Sequence, residues 1–312
     1  MVRPRGYQAT DYSRVIGFLS EVYSINGNQH SWLPARWEYA EYLVGPLYRF
    51  RGCPDWHTTI QIWETERGRI VGVVNSENPD ENAYLQIHPD YRSIEEEMVE
   101  WAEANIAVPG ADGANTRELV IWVHDNDPFR RGILGRRGYR QSEGCEFQTR
   151  MNLDAEVPPV ELPEGYSIRS VAEGVDLDSR GEAVARAFNP SIDEHRISRQ
   201  IEAYLMMRKA PSYRMDLDLV TVFHDTVVTS ACIVWLDERN RTGYVEPVAT
   251  HPDYQRKGLG RAVVLEGLKR LKNLGARVAY VNPYGEWRCR FYTAIGFTPY
   301  DTYRAWAKEF QR

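Results

Sequence analysis

Two periods of apolar spacing alternate along the chain, and the order in which they alternate is repeated. Residues 13–23 (SRVIGFLSEVY) and 179–188 (SRGEAVARAF) carry helical spacing. Residues 58–74 (TTIQIWETERGRIVGVV) and 218–235 (DLVTVFHDTVVTSACIVW) are dense in β-branched and aromatic residues around a short polar turn, which predicts hairpins. Amphipathic helices are predicted over 94–106 (IEEEMVEWAEANI) and 259–274 (LGRAVVLEGLKRLKNL), the second from apolar Leu259, Val263, Val264, Leu268 and Leu271 with polar residues between. Each is followed by a strand pattern, ELVIWV at 118–123 and ARVAYV at 276–281, and then by a helix that runs to Gly-aromatic, ILGRRGY and FYTAIGF.

The tetrapeptide HPDY falls at the same point of both series, His88–Tyr91 and His251–Tyr254, an offset of 163 residues. Gly6-Tyr7 opens the first series and Gly165-Tyr166 the second. The last strand and the Gly-aromatic ending align at an offset of 158, which places five extra residues in the first series near the loop-like 108–115 (VPGADGAN). Five ordered matches predict a duplicated β-α-β-β-β-α-β-α unit. Residues 153–165 (LDAEVPPVELPEG) are rich in proline and acid and read as a linker. The expected division is a first domain over 1–152, a linker over 153–164 and a second domain over 165–312. The fold class is α+β: two tandem units, each a mixed, mostly antiparallel sheet flanked by helices.

Composition narrows the partners. With 38 basic and 44 acidic residues the net charge is −6, which argues against a broad nucleic-acid surface. No run of about 18 apolar residues exists, so no membrane span is expected. The N-terminus (MVRPRGYQATDYS) lacks a signal-peptide core. Cys53, Cys145, Cys232 and Cys289 lie far apart without a CxxC pair, so neither a zinc site nor a disulfide framework is expected, and a cytoplasmic chain with free thiols is.

The two HPDY copies are followed by opposite charge. After the second come Gln255-Arg256-Lys257-Gly258-Leu259-Gly260-Arg261, a glycine turn between the strand pattern YVEPVA and the helix at 259. Backbone N–H groups at such a helix start, with the helix dipole and Arg256, Lys257 and Arg261, suit a pyrophosphate. The ordinary alternative is a helix with a solvated basic first turn. The spacing is not that of a Walker A loop, nor of a dinucleotide-binding fingerprint.

In this order of elements, the RKGLG loop after HPDYQ and the closing FYTAIGF, residues 165–300 resemble the GCN5-related N-acetyltransferases, and residues 6–140 resemble a degenerate copy of the same unit. The resemblance implies an acyl-CoA-dependent N-acyltransferase. It would move an acetyl group from acetyl-CoA to a primary amine by direct attack in a ternary complex, with no metal. It implies pyrophosphate binding by Gln255, Arg256, Lys257, Gly258, Leu259, Gly260 and Arg261, and pantetheine pairing along Val248, Ala249 and Thr250, where the strand splays from its neighbour. Pro247 cannot donate a ladder bond, which agrees with an irregular position. Tyr292 maps to the acid that protonates the departing thiolate, and a phenol near 10 suits a thiolate near 8.5. Glu246 is the candidate base; strand alternation places it on one face with Val248, and Val245 with Pro247 on the other. Asn282 and Arg290 are candidate cofactor contacts, with capping and surface charge as the alternatives. Cys289 has no evident base and reads as packing.

In the first copy Arg92-Ser93-Ile94-Glu95-Glu96-Glu97 replaces the glycine loop, and Leu134 stands at the position of Tyr292. Three carboxylates suit a helix N-terminus and would repel pyrophosphate, so no coenzyme A is expected in the first half. His88 and His251 are expected to be turn residues. The aromatic stretch with Trp32, Trp37, Tyr39 and Tyr42 is a candidate wall of the acceptor cleft, or else core. Asp216, Asp218 and Asp237 suit a cationic acceptor, and a solvated acidic surface accounts for them equally. The acceptor is a small molecule or a protein amine; the halves bury their surfaces on each other or across a homodimer. A non-catalytic acyl-CoA-binding or interaction module is the competing reading.

Overall fold

The structure, a computed structural model, describes residues 1–50, 52–53, 55–77, 82–109, 116–172 and 176–311. The first half contains β1 (Val2–Gly6), α1 (Tyr12–Asn26), α2 (Pro34–Tyr39), a π-helical turn (Ala40–Val44), α3 (Gly45–Phe50), β2 (Gln61–Thr65), β3 (Ile70–Asn75) and β4 (Asn82–Ile87). It continues with α4 (Glu95–Asn105), β5 (Val108–Pro109), β6 (Thr116–His124), α5 (Pro128–Arg136) and β7 (Arg140–Asn152). The second half contains β8 (Tyr166–Ser170), α6 (Leu177–Phe188), α7 (Glu194–Met207), β9 (Asp218–Phe223), β10 (Val227–Asp237) and β11 (Thr242–Thr250). It ends with α8 (Leu259–Asn273), β12 (Val278–Val281), α9 (Glu286–Ile295) and β13 (Thr298–Gln311). The hairpins, the helices after HPDY and the strands after them lie where the periodicity predicts them. Of the loop expected to hold the five extra residues, Val108 and Pro109 form β5, and 110–115 lie outside the described residues.

Among the described residues the strands join in one sheet in the order β1-β2-β3-β4-β6-β13-β7-β12-β11-β10-β9-β8, with β5 on β6. The last strand of each half is therefore exchanged. β13 pairs with β6 from Tyr303↔His124 to Gln311↔Thr116, and β7 pairs with β12 from Val278↔Asn152 to Val281↔Thr149. β7 and β13 then pair with each other. The segment read as a linker is held down: Leu153 is buried, and Val157 and Val160 pack on the core of the second half.

Helices cover both faces because their apolar stripes need them to. In α8, Val263, Val264, Leu265, Leu268 and Leu271 are fully buried, each worth about 1.5–3 kcal/mol relative to exposure. Gly243 and Gly267 are small because a Cβ on either would lie 2.4 Å from Leu271 Cδ1 and 2.7 Å from Val234 Cγ1. A separate cluster joins the halves. Leu33, Ala35 and Leu43 from the segment carrying α2 pack with Tyr204 and Met207 of α7 and with Trp235, Tyr244 and Tyr280 of the second half's strands.

Because β13 lies between β6 and β7, its removal opens edges in a sheet that serves both halves. Truncation after Phe297 is expected to lower the melting temperature of the whole chain by about 10 °C or more, followed by tryptophan fluorescence. An unchanged transition would show that the exchanged strand does not join the halves.

Candidate active site

The site begins where β11 loses a partner. Its parallel pairing with β12 covers only Thr242↔Val278, Gly243↔Ala279 and Tyr244↔Tyr280. From Val245 onward β11 pairs on its β10 side alone, and the register there shifts between Cys232↔Val248 and Val234↔Val245. Two residues, Glu246 and Pro247, thus stand opposite one, which is a β-bulge. The Glu246–Pro247 peptide is cis. The bulge overturns the alternation expected from the sequence. Val245 and Val248 both pack on the core under α8, whereas Pro247 lines a cavity with Tyr39, Leu43, Arg180 and Tyr204. An extra residue between two pairs puts Glu246 and Pro247 out of the two-residue period.

The HPDY turn is built by histidine. His251 Nδ1 accepts from the backbone N–H of Asp253 at 3.2 Å, with Pro252 at the first turn position, and His88 Nδ1 accepts from Asp90 N–H at the same distance. Both histidines are therefore caps. They are turn residues, as expected, with the imidazole as the capping acceptor. Beyond it, Gln255 donates from Nε2 to Thr250 O at 3.1 Å and closes the loop on the strand end. Arg256 and Gly258 have φ of 63° and 80°, a conformation natural to glycine alone of the two. The first helical N–H bond is from Ala262 to Gly258 O at 2.9 Å, so the amides ahead of it point out of the helix end. The helix start sits close against the strand end at Gly260, where a Cβ would lie 3.0 Å from Thr250 Oγ1 and 3.5 Å from Phe291 Cζ. Lys257 sits 5.1 Å over the Tyr254 ring with Nζ 3.3 Å from Tyr166 OH, exposed like Arg256.

Splayed strand and open helix end thus share one cleft, into which other candidates fall. Asn282, just past β12, is half-buried, and both atoms of its amide are enclosed without a partner. That suits a polar ligand group. Arg290 is different: it is exposed and paired with Glu286 at 2.9 Å, the surface-charge alternative. Tyr292 is buried between Phe291 and Phe297, with ring centroids 5.0 and 5.8 Å away. Burial first, then Cys232 and Glu246, push its phenol above the ordinary value. It therefore stays protonated at neutral pH, as a weaker acid than a free phenol. Cys289 is buried within α9.

Glu246 is half-buried and its Oε2 is enclosed without a partner. Burial, with Glu77 and Glu146 against Arg36, raises its pKa from 4.5 to about 8. Glu77, Glu146 and Arg36 all come from the first half, and none was singled out from the sequence. Arg36 on α2 binds Glu77 through Nε and Nη2 at 2.8 and 2.9 Å, Glu146 Oε1 on β7 through Nη1 at 2.9 Å, and Tyr284 OH at 3.0 Å. A signal for Arg36 was present, because it lies one helical turn after Leu33 and one before Ala40, on a buried face. Glu146 had none. Of the aromatic stretch, Trp32 and Trp37 enter the first half's core, whereas Tyr39 reaches the cavity beside Pro247. The acids thought suited to a cation are occupied elsewhere: Asp218 by Arg180, Tyr204 and Tyr213, Asp216 by Arg214, and Asp237 by Ser20 and Asn240.

The equivalent place in the first half has its own filling. β4 also parts from β6, after Ala83↔Ile121. Tyr84, Trp122 and Tyr303 stand in that opening, Tyr84 and Trp122 stacked with centroids 6.2 Å apart. At the helix start, Glu95 is fully buried and ion-paired with Arg92 and Arg130, and Arg92 also meets Asp127 at 2.8 Å. Glu97 accepts from Trp63 Nε1 at 2.9 Å. These acids serve ion pairs and packing as well as the helix dipole. Leu134 is buried.

A mixed sheet whose parallel neighbours splay, present twice, with a glycine-led helix beside the second opening, fits the GCN5-related N-acetyltransferase family, and the chain belongs to it as a tandem member. Residues 186–297 match the model of the acetyltransferase (GNAT) family. The chain is 31% identical to a mycothiol acetyltransferase of Rhodococcus opacus, over 78% of this chain and 81% of that one. It is 29% identical to a mycothiol acetyltransferase of Rhodococcus jostii at the same coverage. In fold it is similar to a tandem GNAT protein from the clavulanic acid biosynthesis pathway, with a TM-score of 0.64, 16% identity and coverage of 99% and 98%. It is an acyl-CoA-dependent N-acyltransferase that draws on acetyl-CoA. Among the described residues no group of three or more His, Cys, Asp or Glu is placed to hold a metal, and no helix is long and apolar enough to cross a membrane.

Glu246 has a consequence for stability. Its folded pKa lies above the ordinary 4.5, so the native chain binds the extra proton and its stability falls as pH rises from 4.5 to about 8. Urea unfolding at pH 5 and pH 8.5 is expected to show Glu246→Gln gaining stability relative to wild type at the higher pH. A difference independent of pH would place Glu246 in solvent.

Proposed function

We propose that the second half carries a single transferase site, in which an acetyl group moves from acetyl-CoA to a primary amine by direct attack within a ternary complex. The observation that carries this is the parting of β11 from β12 after Tyr244 beside the open end of α8. The free edge of Val248, Ala249 and Thr250 offers backbone pairing to the pantetheine arm. The amides from Arg256 to Arg261, with their cations, cradle the pyrophosphate, and the Asn282 amide takes a further contact. Gln255 closes the loop and Arg290 lies outside this set.

In this reading Glu246 accepts the proton that the acceptor amine must lose. A carbon–nitrogen bond forms, the carbon–sulfur bond breaks, and the coenzyme A thiolate leaves. A backbone N–H on the splayed strand polarises the thioester carbonyl, and Tyr292 donates its proton to the thiolate. The raised phenol makes that donation uphill as a free step, so it belongs with the carbon–sulfur cleavage rather than after it. The first half holds no coenzyme A, because its ion pairs and aromatic rings fill the corresponding places. The relatives' names make a mycothiol-related amine the first acceptor to try.

Calorimetric titration of acetyl-CoA is expected to give one site per chain, lost in a Gly258→Glu, Gly260→Glu variant. Two sites would refute the silent first half, and no binding to the folded chain would refute the transferase site. With an acceptor in hand, Tyr292→Phe and Glu246→Gln are each expected to lower kcat by about 10²-fold or more. In wild type, kcat/KM is expected to climb with pH to a plateau above about 8, where Glu246 is free to accept a proton. A profile flat from pH 6 to 9 would remove Glu246 as the base.

A further inference from the structure

Buried hydrogen-bond acceptors without donors gather on the first-half side of Glu246. Glu146 is completely buried; its Oε1 takes Arg36 and Gln148, and its Oε2 has no partner. The Oε1 of buried Gln148 and the Oε2 of Glu246 have none either. Buried polar atoms are almost always paired, and these three oxygens, on Glu146, on its hydrogen-bond partner Gln148 and on Glu246, whose carboxyl feels the Glu146 charge, suit a group that brings donors. The charges point the same way. Two carboxylates, Glu77 and Glu146, face one guanidinium, Arg36, held on the Trp32 and Tyr84 rings at 4.8 and 5.2 Å, with the protonated Glu246 beside them. Arg36 is committed to Glu77, Glu146 and Tyr284 and leaves an excess of acceptors. A group with several N–H donors, no acceptor and a positive charge would complete the set, which describes an alkylammonium ion.

We propose that the ammonium of the acceptor is seated between Glu246 of the second half and Glu77 and Glu146 of the first, so that the half without coenzyme A supplies part of the acceptor site. This rests on the transferase site proposed above. Arg36 is a positioning residue, which fixes Glu77 and Glu146 while leaving Glu146 Oε2 unused. The acceptor class follows. It is an amine that arrives as a cation, without a carboxylate beside the reacting nitrogen, because such a group would meet Glu77 and Glu146. Free amino acids are therefore excluded, and amino sugars, polyamines and similar cations are admitted. Seating the cation also offsets the repulsion that keeps Glu246 protonated, so the acceptor readies its own base. The groups facing Glu246 are Arg36 and Tyr39 from α2, Glu77, Glu146, Tyr244 and Tyr292.

The test uses the full chain saturated with coenzyme A, which cannot transfer. 1,4-Diaminobutane, glucosamine and glutamate are titrated calorimetrically. The two cations are expected to bind and glutamate is not. Glu146→Gln and Glu77→Gln are each expected to weaken cation binding by about tenfold or more, the worth of one hydrogen bond to a charge, and to leave coenzyme A affinity unchanged. Glu77 lies at the rim of the cluster, so its variant still decides the matter if Glu146→Gln fails to fold. Both variants are also expected to move the acid limb of kcat/KM to lower pH by about one unit, which a merely structural role would not do. Unaltered cation affinity in the variants, equal binding of glutamate, or a chain that takes coenzyme A but neither cation would overturn the proposal. A chain that takes no coenzyme A would instead overturn the transferase site beneath it.

Discussion

The candidate site depends on one missing interaction: among the described residues, β11 has no strand partner on its β12 side after Tyr244. An unpaired strand inside a wide sheet leaves its amides and carbonyls unsatisfied unless water or a ligand takes them. The bulge at Glu246–Pro247 makes the parting possible, since it bends β11 away while β10 still holds its other edge. The same bulge takes Glu246 out of register and turns it to the first half. Strand opening and carboxylate placement therefore come from one irregularity, and repairing the register would abolish both.

The exchange of β7 and β13 explains how residues from distant parts of the chain reach this carboxylate. β7 runs beside β12 and then beside its continuation, where Phe147 N–H donates to Pro283 O at 2.9 Å. That course places Glu146 against Tyr284, and α2 lays Arg36 over both. Had each half kept its own last strand, Glu146 would belong to the first half's sheet and would not stand next to the working cleft. The exchange thus binds the halves mechanically and also brings Glu146 of the first half against Tyr284 of the second.

Much of this was legible in the sequence. The repeat and the glycine loop follow from local pattern, because each is a short segment whose residue types are restricted by backbone geometry, whereas the splayed strand was reached only through the family resemblance that those segments carry. What was not legible depends on long-range pairing. Residues 140–152 and 298–311 show mixed polarity since each packs between two strands of the other half, so no clean alternation announces them. Glu146, Gln148 and Thr149 are polar yet buried, the reverse of what periodicity reads as a core face. The bulge was equally hidden: Pro247 announces an irregular ladder, but not which way its neighbour turns.

The two halves also differ in how they fill the same places of one fold. Both retain the capping histidine, and in both the strand parts from its parallel neighbour. The first half meets the resulting demands internally, with Tyr84, Trp122 and Tyr303 in the opening and Arg92, Glu95, Asp127 and Arg130 pairing at the helix start. The second half leaves the amide of Asn282 and the Oε2 of Glu246 without partners, beside the open start of α8. Satisfied groups stabilise a fold, and unsatisfied ones select a ligand. At the strand opening and at the helix start, the first copy fills with side chains what the second leaves open, although the fold is common to both.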